Sequence, residues 1–190
     1  MVTSIMGGFS RDMRARIRGL QTDLVVATND RSLWFPDYED LCAAIAKIPR
    51  VRGCAPRIEW AAWLGRRGIR RDVQMVGIVP ERERGVSELE RYFREGGKRD
   101  FDFKPRFGAE SEAPGLVLGC ELWGMGLLHL QSVRDASPMP IPCGREFEAA
   151  GNFKTGMAEY DSNYVFMELP AAQKFLHLEK PSANVLAVTL

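Results

Sequence analysis

At 190 residues the chain is long enough for one large domain or two small ones with a buried core. A hydrophobic content of 45% and a charged content of 27% exclude global disorder, and 26 basic against 25 acidic side chains leave a net charge of +1, with no bulk field to attract nucleic acid. No apolar run approaches the roughly 18–20 residues of a bilayer crossing, and Met1–Phe9 is too short to hold the parts of a signal peptide.

In chain order, Phe9–Leu20 predicts an amphipathic helix capped by Ser10. Phe9, Met13, Ile17 and Leu20 form its stripe, and Arg11, Arg14, Arg16 and Arg18 its other side. Asp23–Ala27 predicts a short strand. Pro36 opens a helix with Tyr38, Leu41, Cys42, Ile45 and Ile48 at helical spacing, and Pro49 stops it. Val51–Leu64 is extended and carries Trp60 and Trp63. The Arg66-Arg67-Gly68 turn leads into a strand over Ile69–Val79, with Val73, Met75, Gly77 and Val79 alternating.

Ser87 and Glu90 form a capping-box pattern for a helix carrying Leu89, Tyr92 and Phe93, ended by Gly96-Gly97. Lys98–Ala113 predicts a long polar loop that leaves Phe101, Phe103 and Phe107 on a neighbouring surface. Pro114–Glu121 predicts a buried strand running into a short helix, and Leu127–Val133 a further strand. Ser137-Pro138-Met139-Pro140-Ile141-Pro142 holds three prolines in five residues, so it predicts a stiff exposed loop between strands. In Arg145–Gly151, alternation puts Phe147, Ala149 and Gly151 on one face and Glu146, Glu148 and Ala150 on the other. A turn-forming run, Thr155–Asn163, then a strand over Tyr164–Met167, a helix opened by Pro170 and a final strand in Asn184–Leu190 complete the chain.

No constellation in this order carries chemistry. His129 and His177 sit in apolar segments without a partner at ligand spacing, and read as satisfied structural histidines. Glu159 and Asp161 form the one candidate acid–base pair, and both fall in a turn. Gly7-Gly8 and Gly96-Gly97 make no phosphate loop. Cys42, Cys54, Cys120 and Cys143 have no ligand-like spacing. They read either as buried thiols or as disulfide partners in an oxidising compartment. The sequence therefore predicts no catalytic residue, no metal ligands and no cofactor.

Several stretches resemble one family. Gly151–Asp161 (GNFKTGMAEYD) followed by Leu169-Pro170-Ala171-Ala172-Gln173, Gly115–Leu122 (GLVLGCEL), Gly77–Pro80 (GIVP) and Met6–Gly19 are similar to the extracytoplasmic domain of LolC/LolE-type permeases. These are the membrane subunits of lipoprotein-releasing ABC transporters, related to MacB-type permeases. The chain departs from the pattern at Gly124–Leu127, where the family has a longer helix, and in its shorter proline loop.

The resemblance implies an α+β, two-lobed MacB-like periplasmic domain. Residues 1–79 and 146–190 would make a porter-like lobe of two strand–helix–strand units, and 80–145 an inserted small lobe. It implies a place between two transmembrane spans of an inner-membrane protein, with Val2–Phe9 ending the first. It further implies a pairing with a second permease copy or paralogue, a separate nucleotide-binding subunit that hydrolyses ATP, and no enzymatic activity in this chain. Ser137, Pro138, Met139, Pro140, Ile141 and Pro142 fall where the family carries a loop that captures a periplasmic lipoprotein carrier, so they are the expected contact for a lipoprotein or its carrier. The alternatives are a MacB-like efflux or mechanotransmission domain contacting an adaptor or cell-wall enzyme, and a free-standing binding module.

Overall fold

The computed structural model describes residues 20, 22–28, 34–66, 69–105, 113–122, 127–132 and 144–190. Within them the chain runs β1 (Leu24–Ala27), α1 (Tyr38–Ile45), β2 (Gly53–Arg66), β3 (Ile69–Ile78), α2 (Pro80–Glu83), α3 (Leu89–Glu95), β4 (Gly115–Gly119), β5 (Leu127–Ser132), β6 (Gly144–Phe153), α4 (Ala158–Asn163), β7 (Tyr164–Glu168), α5 (Leu169–Phe175) and β8 (Val185–Thr189). The expected N-terminal helix lies outside the described residues except for Leu20, which is buried.

The strands join one mixed sheet in the order β1-β8-β2-β3-β7-β4-β6-β5. Strand β2 organises it, because its 14 residues serve three neighbours. Gly53–Arg57 pairs with β8, Ala62–Gly65 with β5, and Arg57–Arg66 with β3. The β2–β5 pairing makes β2, β3, β7, β4, β6 and β5 a closed ring of hydrogen-bonded strands, while β8 and β1 extend from β2 outside that ring and β1 remains an edge. Strands β4 and β5, from the expected insert 80–145, hydrogen-bond to β7, β6 and β2 from the flanking segments. Two strand–helix–strand units are present. In β1–α1–β2 the strand β8 lies between the ends, and in β7–α5–β8 the strands β2 and β3 do.

Each face of the sheet has its own core. On one, Ile58, Leu64, Met75, Leu118 and Phe147 pack with Ala172 and Phe175 of α5. Pro170 sits in the first turn of α5, where its missing N–H costs nothing. On the other, Phe93 of α3 is the hub. Its ring lies 4.9 Å from Phe101, 5.9 Å from Phe103 and 6.1 Å from Phe166. Phe101 and Phe103 are therefore core residues rather than surface aromatics, and their segment packs down because α3 alone leaves the sheet face uncovered.

Three further local expectations are corrected. The register between β4 and β6 steps from Leu116↔Ala149 to Val117↔Gly151, so a bulge at Ala150 reverses the alternation. Gly151 then shares the face of Val117, and Phe153 joins the Phe93 core instead of following Phe147. The capping box does not close. Ser87 Oγ accepts from Leu89 N at 3.4 Å, while the Glu90 carboxylate is taken by Arg84 and Arg94. The run Thr155–Asn163 is mostly helix, with Ala158–Asn163 forming α4.

Candidate functional site

Met6–Gly19 lies outside the described residues, and the other stretches that carry the family resemblance meet in pairs in space. Asp161 is buried, and its Oδ1 accepts from Thr155 N at 2.7 Å and Thr155 Oγ1 at 3.0 Å, while Oδ2 accepts from Gly156 N at 2.9 Å. One carboxylate thus satisfies the turn that joins β6 to α4, which a buried backbone requires. The Asp161 carbonyl accepts from Glu121 N at 2.9 Å, and a side chain on Gly119 would sit 2.2 Å from that same oxygen. Only glycine permits this approach.

Gly77 packs on α5 in a similar way, since a Cβ there would lie 2.6 Å from the Ala172 Cβ. Glu159 is exposed while Asp161 is committed to backbone donors, so the pair does not form an acid–base couple. Cys120 stands beside Asp161. Its thiol is pushed up by burial and by the neighbouring Asp161, which makes it a poor nucleophile at neutral pH.

A pocket of about 270 Å³ opens beside β2, lined by Arg57, Glu59, Glu83, Tyr160, Tyr164 and the apolar Phe166, among others. Its charged wall is built from two elements, β2 and α2. Arg57 projects from β2 and forks onto Glu83 of α2, Nε to Oε2 at 3.1 Å and Nη2 to Oε1 at 2.5 Å, with Glu83 fully buried. Ser87 Oγ donates to the same Oε1. Burial alone would push the Arg57 guanidinium down, but Glu83, and then Glu59, hold it above its ordinary value. Burial pushes the Glu59 carboxyl up; Arg57 draws it partly back, with Nη1 3.9 Å from Glu59 Oε1, and Glu83 adds to the rise. Tyr160 and Tyr164 pack as tilted rings with centroids 4.8 Å apart, and burial followed by Tyr160 pushes the Tyr164 phenol up. No histidine, cysteine or lysine is among the described lining residues, and the charged and aromatic wall can hold a polar group.

Ser137–Pro142, the predicted contact loop, lies outside the described residues. Its flanking strands are described: Ser132 pairs with Ala62 of β2, and Gln131 pairs with Gly144. Arg70 stacks over Trp63 at 3.6 Å and donates to Gln131 at 2.8 Å.

The histidine reading is corrected. His129 is exposed on the outward side of β5 between the buried Leu128 and Leu130, 4.0 Å from Glu146. His177 is exposed with φ 52 just past α5. Among the described residues no His, Cys, Asp and Glu group could hold a metal ion, and no helix is long and apolar enough to cross a membrane.

Sequence reasoning did not find the Arg57–Glu83–Ser87 cluster, because its members come from separate elements. Arg57 stands in a largely apolar run, but Glu83 lies among Glu81, Arg82 and Arg84, where nothing local sets it apart. The cysteine question is settled for one pair. Cys42 and Cys54 form a disulfide with Cα atoms 5.6 Å apart, tying α1 to the start of β2.

No protein-family model matches the chain. It is 26% identical, over 97% of its length, to the lipoprotein-releasing system transmembrane protein LolC of Neisseria meningitidis serogroup B, and spans 44% of that curated relative. Among solved structures, the extracellular domain of the noncanonic ABC-type transporter YknZ from Gram-positive bacteria shares 9% identity at a TM-score of 0.45, covering 87% of this chain and 81% of that one. The periplasmic region of MacB from Actinobacillus actinomycetemcomitans shares 13% identity at the same TM-score, covering 92% and 77%. Both structural likenesses are loose. The similarity to LolC runs through nearly the whole chain, so the resemblance read from separate motifs holds over its length.

Proposed function

We propose that the chain is the extracytoplasmic domain of an ABC-transporter permease subunit of the lipoprotein-releasing type, held between two membrane spans of a longer protein. The observation that carries this reading is the 26% identity to a LolC transmembrane protein over 97% of the chain. In this reading ATP is hydrolysed by a separate nucleotide-binding subunit, and a second permease copy or paralogue completes the transporter. The domain transmits motion and docks a lipoprotein or its periplasmic carrier; it cleaves nothing. Its geometry suits a rigid transmitter. The two motif pairs, Gly119 with Asp161 and Gly77 with Ala172, lock helices onto the ring of strands, and β2 spans roughly 40 Å without interruption.

The proposed contact for the carrier is Ser137–Pro142, where proline reduces the ordering entropy that docking costs. The test is site-specific photo-crosslinking from Met139 and Ile141 in the full-length protein in its native membrane. Crosslinks to a soluble lipoprotein carrier are expected. Crosslinks confined to an adaptor or cell-wall enzyme would reassign the domain to the MacB-like class, and absence of any crosslink from correctly inserted protein would remove the docking role from this loop.

A further inference from the structure

The end of the sheet opposite the β2–β3 turn carries a basic and apolar patch that the fold does not use. After α1 the chain turns through Lys47, Ile48, Pro49 and Arg50 and enters β2 by Val51 and Arg52. Lys47, Arg50 and Arg52 are exposed, and Ile48 is 54% exposed between them. No acidic residue occurs between Asp40 and Glu59, so the three cations have no counter-charge within their own loop.

The loop is held firmly. Ile48 N donates to Ile45 O at 3.0 Å and Val51 N to Ile48 O at 3.2 Å, and the Cys42–Cys54 bond closes the loop at its base. Arg52 N donates to Thr189 O at 2.8 Å, which sets the turn against the end of β8. There Leu190 is 46% exposed, and its N–H donates to Asp23 at 2.9 Å, beside Leu24 at 50% exposure. The start of β1 and the end of β8 therefore lie side by side, next to a preorganised turn with three cations and an apolar tip.

We infer that the disulfide-closed turn Lys47–Arg52 rests on the headgroups of a bilayer containing anionic phospholipid. Lys47, Arg50 and Arg52 would contact lipid phosphates, and Ile48 and Leu190 would enter the interfacial layer. The inference rests on the permease reading, which puts a membrane beside the domain. Alternating cations and aliphatic side chains on a convex turn suit a lipid interface better than an acidic protein surface, which would call for a complementary concave partner. A basic residue near an anionic membrane surface contributes about a fivefold gain in binding, so three contribute about a hundredfold.

The test is flotation of the 190-residue chain, disulfide intact, with phosphatidylcholine vesicles made with and without phosphatidylglycerol. Binding is expected to the anionic vesicles only, weakening as salt is raised. The variant K47E/R50E/R52E should lose about a hundredfold, while R70E/R71E at the far end of β2–β3 should bind as the native chain does. Unchanged thermal melting of both variants shows that the fold is kept. Native-like binding by K47E/R50E/R52E overturns the inference, as does binding lost only when Arg11, Arg14, Arg16 and Arg18 are reversed. Neither result touches the permease reading, which the crosslinking decides separately.

Discussion

Removing the carboxylate of Glu83 should be among the most destabilising single changes in the protein. Glu83 is 0% exposed and Arg57 8%, and the two share a forked pair of hydrogen bonds. Glu83→Leu would leave the Arg57 guanidinium buried, with Glu59 the one carboxylate near it among the described residues, at 3.9 Å and beyond hydrogen-bond reach. Breaking such a pair from one side costs about 3–5 kcal/mol, a large share of a stability of about 5–15 kcal/mol. The same physics predicts that Arg57→Met with Glu83→Leu recovers most of that loss, because the desolvation of both charges disappears together. Glu59 should not dominate the double variant, since Arg57 and Glu83 act on it with opposite signs. Urea denaturation of the native chain, both single variants and the double variant closes the cycle, provided the slopes match. A Glu83→Leu loss below about 1 kcal/mol, or a double variant no better than the worse single one, would refute the reasoning.

Gly77→Ala should cost about 1–3 kcal/mol by overpacking, because its Cβ would lie 2.6 Å from that of Ala172. Thermal melting should show part of the loss restored by adding Ala172→Gly. Reducing the Cys42–Cys54 bond, with its sequence separation of 12, should lower stability by about 3 kcal/mol, measured in urea with and without reductant, while Cys120→Ser changes nothing comparable.

Burial pushes Glu59 up despite Arg57, so the native state holds this proton more tightly than the unfolded chain. Its stabilising contribution is therefore complete below the unfolded value of about 4.3 and is lost as pH rises through the native one. Glu59→Gln should stabilise the protein near neutral pH and have little effect in acid; an equal gain in both would contradict that sign.

The order of elements was legible in the sequence because local rules govern it. Pro170 marks the start of α5, the alternation of Val73, Met75 and Gly77 marks β3, and Gly96-Gly97 ends α3. The motifs that carry the family resemblance were also visible, as strings of residue types at set spacing. Their reason was not, since Gly119 is required by the Asp161 carbonyl 42 positions away and Gly77 by Ala172, across elements that only folding brings together.

Tertiary contacts decided the rest. The bulge at Ala150 moved Phe153 to the other face of the sheet, against the alternation of β6. The uncovered face above β7 drew in Phe101 and Phe103, which a polar neighbourhood had marked as surface. Cys42 found Cys54 because α1 folds back along β2. Periodicity and capping act over a few residues and can be read from a string. Which face is buried, which charge is paired and which thiol is within reach depend on free energies of burial and proximity that exist only once distant segments have met.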